Sequence, residues 1–153
     1  TGTALVISLT IGIPLGIFAA LYRDSWVDRL VMGVSVFGFS MPNFFLGILL
    51  ILVFSLNLRV LPSSGSDTWA HLIMPAATLG ISFAAQFARY TRSSMIDVLN
   101  KSYMRTARSK GAGPARRVNL HALPNAAIPV VTILGFKMGE LLGGAVITET
   151  VFA

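Results

Sequence analysis

The chain has 153 residues, of which 54% are hydrophobic and 12% charged, with a formal net charge of +6. Its mean hydropathy is +0.75. Soluble domains carry about 25% charged residues, so this composition excludes an ordinary water-soluble fold and points to an all-α, polytopic membrane protein. There is no cysteine, which removes disulfides without assigning a compartment.

A helix crosses about 30 Å of hydrocarbon with about 20 apolar residues, and four such runs follow in chain order. The first covers about 3–22 and stops at Arg23-Asp24. The second, about 30–56, exceeds one perpendicular crossing, and Pro42-Asn43 within it predicts a kink or an interfacial half-helix before Pro42. The third covers 72–90, with Pro75 in its first turn. The fourth, 124–150, carries Lys137 and Glu140 inside it. The short alternating segments of a β-barrel are absent. Neither an internal repeat nor a low-complexity linker divides the chain, so 1–153 reads as one transmembrane domain. Thr1-Gly2 opens directly into an apolar run and Phe152-Ala153 stops without a basic flank, so the expectation is the interior of a longer protein.

Positive charge sets the orientation. Arg23 and Arg29 follow the first span, and Arg59 alone lies between the second and third. Arg89, Arg92, Lys101, Arg105, Arg108, Lys110, Arg116 and Arg117 follow the third. Alternate connections share a side, so residues 97–123 are placed in the cytoplasm and loop 57–71 outside. That outer loop is rich in Pro, Ser and Gly and reads as a turn-containing connector.

The cytoplasmic connection is the one long polar segment. Asp97 suits the start of a helix running to about Lys110, with cations crowding its C-terminal half as the macrodipole favours. Gly111 sits where a C-terminal glycine ends a helix, and Gly113-Pro114 blocks continuation while starting a second helix through Leu123. The expected product is helix, tight turn, helix, with Met104, Ala107 and Val118 as apolar contacts for a groove on another protein. Read from charge alone, the same cations would fix topology and hold anionic headgroups. Nucleic-acid binding is not expected of a segment tethered to spans at both ends.

Lys137 and Glu140 lie three apart, close enough to neutralise each other within the membrane. Two readings stand: an internal ion pair facing neighbouring helices, or charges on an aqueous pathway. Pro42 and Asn43 join them as candidate pathway residues, because a broken helix exposes backbone to a solute. Gly135, Gly139 and Gly143 recur every four residues and predict close helix packing. Glu149 reads as an interfacial or packing residue. His121 has no ligand partner at suitable spacing, and no metal or catalytic site is expected. An intramembrane enzyme would need a nucleophile–base pair or metal ligands at membrane depth, and none is apparent. A passive channel would need a filter and has no use for a docking hinge.

The hinge resembles the cytoplasmic loop of ABC importer permeases. Counting from Gly111 places Arg105-Thr106-Ala107 on the Glu-Ala-Ala positions of that family's pattern and His121-Ala122-Leu123-Pro124 on its Ile-x-Leu-Pro positions. The departures resemble the dipeptide/oligopeptide/nickel branch, as do the segments 88–95 and 142–152, and more weakly Leu61-Pro62 with Gly65. The resemblance implies six spans in the whole protein, with one before Thr1 and one after Ala153.

It also implies a mechanism. Two permease subunits, identical or homologous, form a pathway in a bacterial or archaeal inner membrane. Two ATPase subunits sit beneath them, and an external solute-binding protein delivers the solute. Each hinge is a coupling element seated on an ATPase, so Tyr103, Arg105, Thr106, Ala107, Lys110, Gly111, Leu123 and Pro124 become the ATPase-coupling residues. Arg105 replaces a family Glu, so no Glu-specific ion pair carries over. The sequence has no phosphate-cradling glycine-rich loop. This chain is therefore read as a transport subunit and not an enzyme, binding no cofactor itself, with ATP and Mg held by the partner. Di- or oligopeptides are the first expectation for the solute, with nickel chelates, glutathione or another small solute as alternatives.

Overall fold

The computed structural model describes residues 2–62 and 68–152, with no side-chain description for 141–149 and 152. All regular structure among the described residues is helical. Helix α1 spans Gly2–Leu21, α2 Trp26–Ser40 and α3 Asn43–Leu50, the last continuing as a π-helical segment, Ile51–Asn57. Helix α4 runs from Ala70 to Leu99, α5 from Ser102 to Ser109, and α6 covers Pro114–Arg116. A π-helical turn, Arg117–Ala122, then joins α6 to α7, Leu123–Phe152.

Helix α4 is the central element, touching α1, α2, α3 and α7. Its seam with α1 is unusually close because of a stripe the sequence reading passed over. Ala4, Ser8, Gly12, Gly16 and Ala20 recur every four residues of α1, and all are buried. A Cβ on Gly12 would lie 2.6 Å from the Ala84 carbonyl oxygen, and one on Gly16 2.5 Å from that of Ala88. Small side chains let the two backbones approach, which is how helices gain packing where lipid removes the usual hydrophobic drive. Above this seam Ala4, Leu79, Phe83, Phe87 and Val130 form one apolar cluster.

The run 30–56 is broken at Pro42, where the sequence placed a kink or the end of a half-helix. It begins earlier, at Trp26, and α2 and the α3 segment meet at 100°. Met41 adopts an extended conformation (ψ 126°) and Pro42 follows as the N-cap of α3. Proline disfavours the helical conformation in the residue before it, so the chain turns a corner there. Ser25 caps α2, its Oγ accepting from the Asp28 N–H.

Two boundaries of the hinge between α4 and α7 differ from the sequence expectation. Asp97 does not start a helix: it lies in the last turn of α4, which continues nine residues past the expected end at 90. Buried Ser94, Met95 and Val98 hold that extension, and Ser94 Oγ donates to the Ala126 carbonyl at 2.9 Å. Tertiary packing thus carries the helix beyond the apolar run. Nor does the second hinge helix stop at Leu123-Pro124, because helical backbone is continuous from Pro114 to Phe152. The wide π turn falls immediately before Pro124, which has no N–H to give, and the Asn125 side chain donates to the His121 carbonyl at 2.7 Å.

The candidate coupling site on the hinge

Helix α5 is short and cationic, and its ends are chemically defined. Lys101 precedes it in extended conformation (φ −70°, ψ 152°). At the other end Gly111 takes φ +80°, its N–H donates to the Arg108 carbonyl, and the Ala112 N–H donates to the Ala107 carbonyl, both at 3.1 Å. This paired closure is the Schellman motif, and its left-handed residue favours glycine. Gly113 then leaves in extended backbone, and Pro114 opens α6 as its first residue.

Met104 decides how this hinge is mounted. The sequence reading gave it to a partner's groove together with Ala107 and Val118. Instead Met104 is buried in a cluster with Ala20, Met95, Val98, Ala122 and Ala126, and Val118 and Leu123 pack against it. An eight-residue helix does not hold itself together in water, so α5 keeps its shape by inserting this one apolar side chain between the ends of α1, α4 and α7. Full burial of such a side chain stabilises by about 1.5–3 kcal/mol. The hinge is therefore fastened to three membrane helices at once.

Two concavities flank α5. One, of about 440 Å³, is lined by Tyr103, Thr106, Ala107, Lys110, Gly111, Ala112, Arg116 and His121. Five residues named from the sequence meet here: Tyr103, Thr106, Ala107, Lys110 and Gly111. Ala112, Arg116 and His121 were missed, and the signal for the last two was the uninterrupted helical register from Pro114 onward. Arg105 lies on the other side of α5, in a pocket of about 200 Å³ with Leu99, Met104, Arg108, Pro114, Arg117 and Val118. Leu123 is half-buried against the Met104 cluster and Pro124 is exposed; neither lines the larger cleft.

At membrane depth Lys137 Nζ pairs with Glu140 Oε2 and lies 5.7 Å from the centroid of the Phe83 ring. The Lys137 side chain is 16% exposed and that of Glu140 60%. The pair is thus internal at one end and open at the other. Helix α3, which opens with Asn43 after Pro42, packs against α7, which carries this pair. Pro42 is exposed and Asn43 half-buried. Gly135 and Gly139 face open space, with nothing among the described residues within 4 Å of a Cβ built on either. Gly143 and Glu149 lie outside the described side chains. Among the described residues no group of His, Asp and Glu is arranged to hold a metal ion.

A family model described as "Binding-protein-dependent transport system inner membrane component" matches residues 12–153. The chain is 50% identical over 152 residues to the Glutathione transport system permease protein GsiC of Escherichia coli, covering 99% of this chain and 50% of that one. It is 48% identical over 152 residues to the protein of the same name from Salmonella paratyphi A, with the same coverages of 99% and 50%. The chain thus spans about half the length of the curated relatives it matches. Among solved structures, the crystal structure of an amino acid ABC transporter with histidines has a TM-score of 0.68 at 18% identity, covering 97% of this chain and 66% of that one. That likeness concerns the fold: bundled membrane helices in the same arrangement.

Proposed function

Because this chain belongs to the family of inner-membrane components of binding-protein-dependent transport systems, we propose that it is part of the permease subunit of an ATP-driven importer. It lines half of a solute pathway and passes motion from a separate ATPase to the membrane helices. The observation that carries this reading is the mounting of α5. The helix presents a cleft to the solvent on one face, while Met104 fixes it among the ends of α1, α4 and α7. A load applied in the cleft is delivered to three spans. A hinge that served only to set topology needs neither the cleft nor the fastening.

In this reading α5 and its cleft seat on one ATPase subunit, which binds ATP and Mg, while a second permease subunit completes the pathway and an external solute-binding protein supplies the solute. Residues 97–123 face the cytoplasm. The Lys137–Glu140 pair lines the pathway, with the open Glu140 carboxylate toward the solute. The substrate class is a short peptide. A zwitterionic peptide offers both an ammonium for Glu140 and carboxylates for cations, and glutathione, named for the relatives above, is the first member to test. The full-length protein, assembled in proteoliposomes with its ATPase, second permease and binding protein, is expected to accumulate labelled glutathione or a dipeptide only when ATP is supplied. Uptake that persists without the ATPase would reject the importer reading.

A further inference from the structure

Contacts fix three sides of helix α4. Gly80, Ala84 and Ala88 meet α1, Ala85 and Arg92 meet α2, and Phe83 and Ser94 meet α7. At 3.6 residues per turn, Ser82, Gln86 and Arg89 fall together on the fourth side, opposite α1 and between α2 and α7. They stand at i, i+4 and i+7, so successive members are neighbours on the helix surface. Helix α3 packs on both α4 and α7 and so crosses this sector.

The polar groups on this side are unsatisfied. Ser82 is 5% exposed, and its Oγ has no hydrogen-bond partner among the described residues. Gln86 is 7% exposed, and its amide has no partner among them either. Thr78, one turn earlier, shows the usual alternative: its Oγ1 donates to the Met74 carbonyl at 2.8 Å. The Arg89 guanidinium lies 4.9 Å from the centroid of the Phe39 ring and 5.6 Å from that of Tyr90. No carboxylate among the described residues pairs with it, whereas Arg92, three residues on, is engaged by Asp28. A guanidinium stacked on rings keeps its in-plane N–H fork for an anion, and buried polar groups persist where a partner completes them.

We infer that Ser82, Gln86 and Arg89 form a carboxylate-binding face on the solute route, Arg89 holding the carboxylate while the Ser82 hydroxyl and Gln86 amide donate along its approach. This rests on the importer reading above. It supplies the cation for the carboxyl end of a zwitterionic peptide, as Glu140 answers the ammonium. Phe83, whose ring lies against Lys137 of that pair, sits between Ser82 and Gln86 in sequence, and Arg89 stands about 9 Å further along the helix axis. A lipid phosphate offers the same oxyanion chemistry, but Ser82 and Gln86 are covered by the protein's own helices and not by lipid. In this conformation the face is closed, and it opens by α3 swinging at the Met41-Pro42 corner.

The test uses the full-length permease, assembled with its ATPase, second permease and binding protein in phosphatidylcholine vesicles. Ser82→Cys and Gln86→Cys are made separately, and each is treated during ATP turnover with an anionic (sulfonatoethyl) or a cationic (trimethylammonioethyl) methanethiosulfonate. Relative to their rates with free cysteine, the anionic reagent is expected to react at least tenfold faster than the cationic one. Arg89→Gln in the same background brings that ratio to about one, and Arg89→Lys preserves it. Alanyl-alanine slows the anionic reaction at Ser82→Cys, whereas its C-terminal amide does not, a comparison that needs no change at Arg89. Failure of both cysteines to react would overturn the inference, and so would a ratio that Arg89→Gln leaves unchanged. Equal protection by peptide and amide would do the same. A preference that disappears when phosphatidylglycerol is added to the vesicles would make the ligand a lipid and overturn it as well. ATP-driven uptake by the wild type without any charge preference at either cysteine removes the carboxylate site and leaves the importer standing. Uptake that persists without the ATPase rejects the importer reading and this site with it.

Discussion

Arg92 and Asp28, 64 residues apart in sequence, meet in a two-pronged ion pair, with Arg92 Nε 2.5 Å from Asp28 Oδ1 and Nη2 2.6 Å from Oδ2. The pair ties the first turn of α2 to the C-terminal third of α4. Asp28 is almost wholly buried, and its Oδ2 also accepts the Asp24 N–H at 3.0 Å. Asp24 itself sits at φ +63°, so this carboxylate organises the whole turn between α1 and α2. Arg92→Leu strands it without its cation, and removing one partner of a buried pair costs about 3–5 kcal/mol. Thermal unfolding in detergent is expected to show a loss of that size for Arg92→Leu, and less for the double variant Asp28→Asn with Arg92→Leu, which leaves no buried charge. Equal losses would mean the charge itself is not what the site protects.

The seam between α1 and α4 predicts a sharp contrast between two glycines. Gly16→Leu drives a side chain into the Ala88 carbonyl 2.5 Å from the new Cβ, and overpacking of this kind costs about 1–3 kcal/mol or more. Gly139→Leu meets nothing among the described residues and is expected to change stability by no more than about 0.5 kcal/mol. Denaturation midpoints of the two variants in the same detergent check this. If Gly139 packs against the second permease, its variant lowers recovery of the permease pair while the single chain stays intact.

Met104→Ala separates docking from transmission. The side chain is 5% exposed, and truncation of a buried Met costs about 2–5 kcal/mol, here concentrated on an eight-residue helix. Amide exchange is expected to accelerate across α5 while α4 stays protected. ATPase association should fall only a few-fold, because the cleft residues remain, whereas ATP-driven uptake should be lost. Uptake that follows association in strict proportion would remove the special role given to the fastening.

Neutralising the membrane pair tests the pathway. Lys137→Gln with Glu140→Gln keeps two polar side chains but removes the charges. If Glu140 holds a solute ammonium, losing that charged hydrogen bond costs about 1.5–3 kcal/mol, read as roughly a tenfold or larger drop in uptake at low solute concentration. Unchanged transport and selectivity would leave the pair a packing device against Phe83.

What the sequence made legible was chemistry confined to a few neighbouring residues. Gly111 and Gly113-Pro114 announce their turn because only local backbone geometry is involved, and the charge pattern places the hinge on one side of the membrane by counting. The end of α4 was not legible: hydropathy stops near Arg89, while Ser94, Met95 and Val98 continue the helix through contacts with residues in α7. Met104 looked like a surface anchor because α5 is polar around it, and only the third dimension shows the apolar cluster behind it. The α1 stripe of Ala4, Ser8, Gly12, Gly16 and Ala20 was in plain view, but a helix apolar on every side does not declare which face is inward. The Asp28–Arg92 pair spans 64 positions and has no local signature at all.

The central claim is that the cleft on α5 is the seat of an ATPase. Co-purification of the full-length permease with its ATPase, comparing wild type with Ala107→Trp, measures it most directly. Ala107 lies in the wall of the cleft beside Tyr103 and Gly111, and an indole there fills the space a partner would occupy. Loss of at least nine-tenths of the bound ATPase, roughly 1.4 kcal/mol or more of binding free energy, from a variant that still inserts and unfolds like wild type is the predicted result. Undiminished ATPase binding by that variant would contradict it.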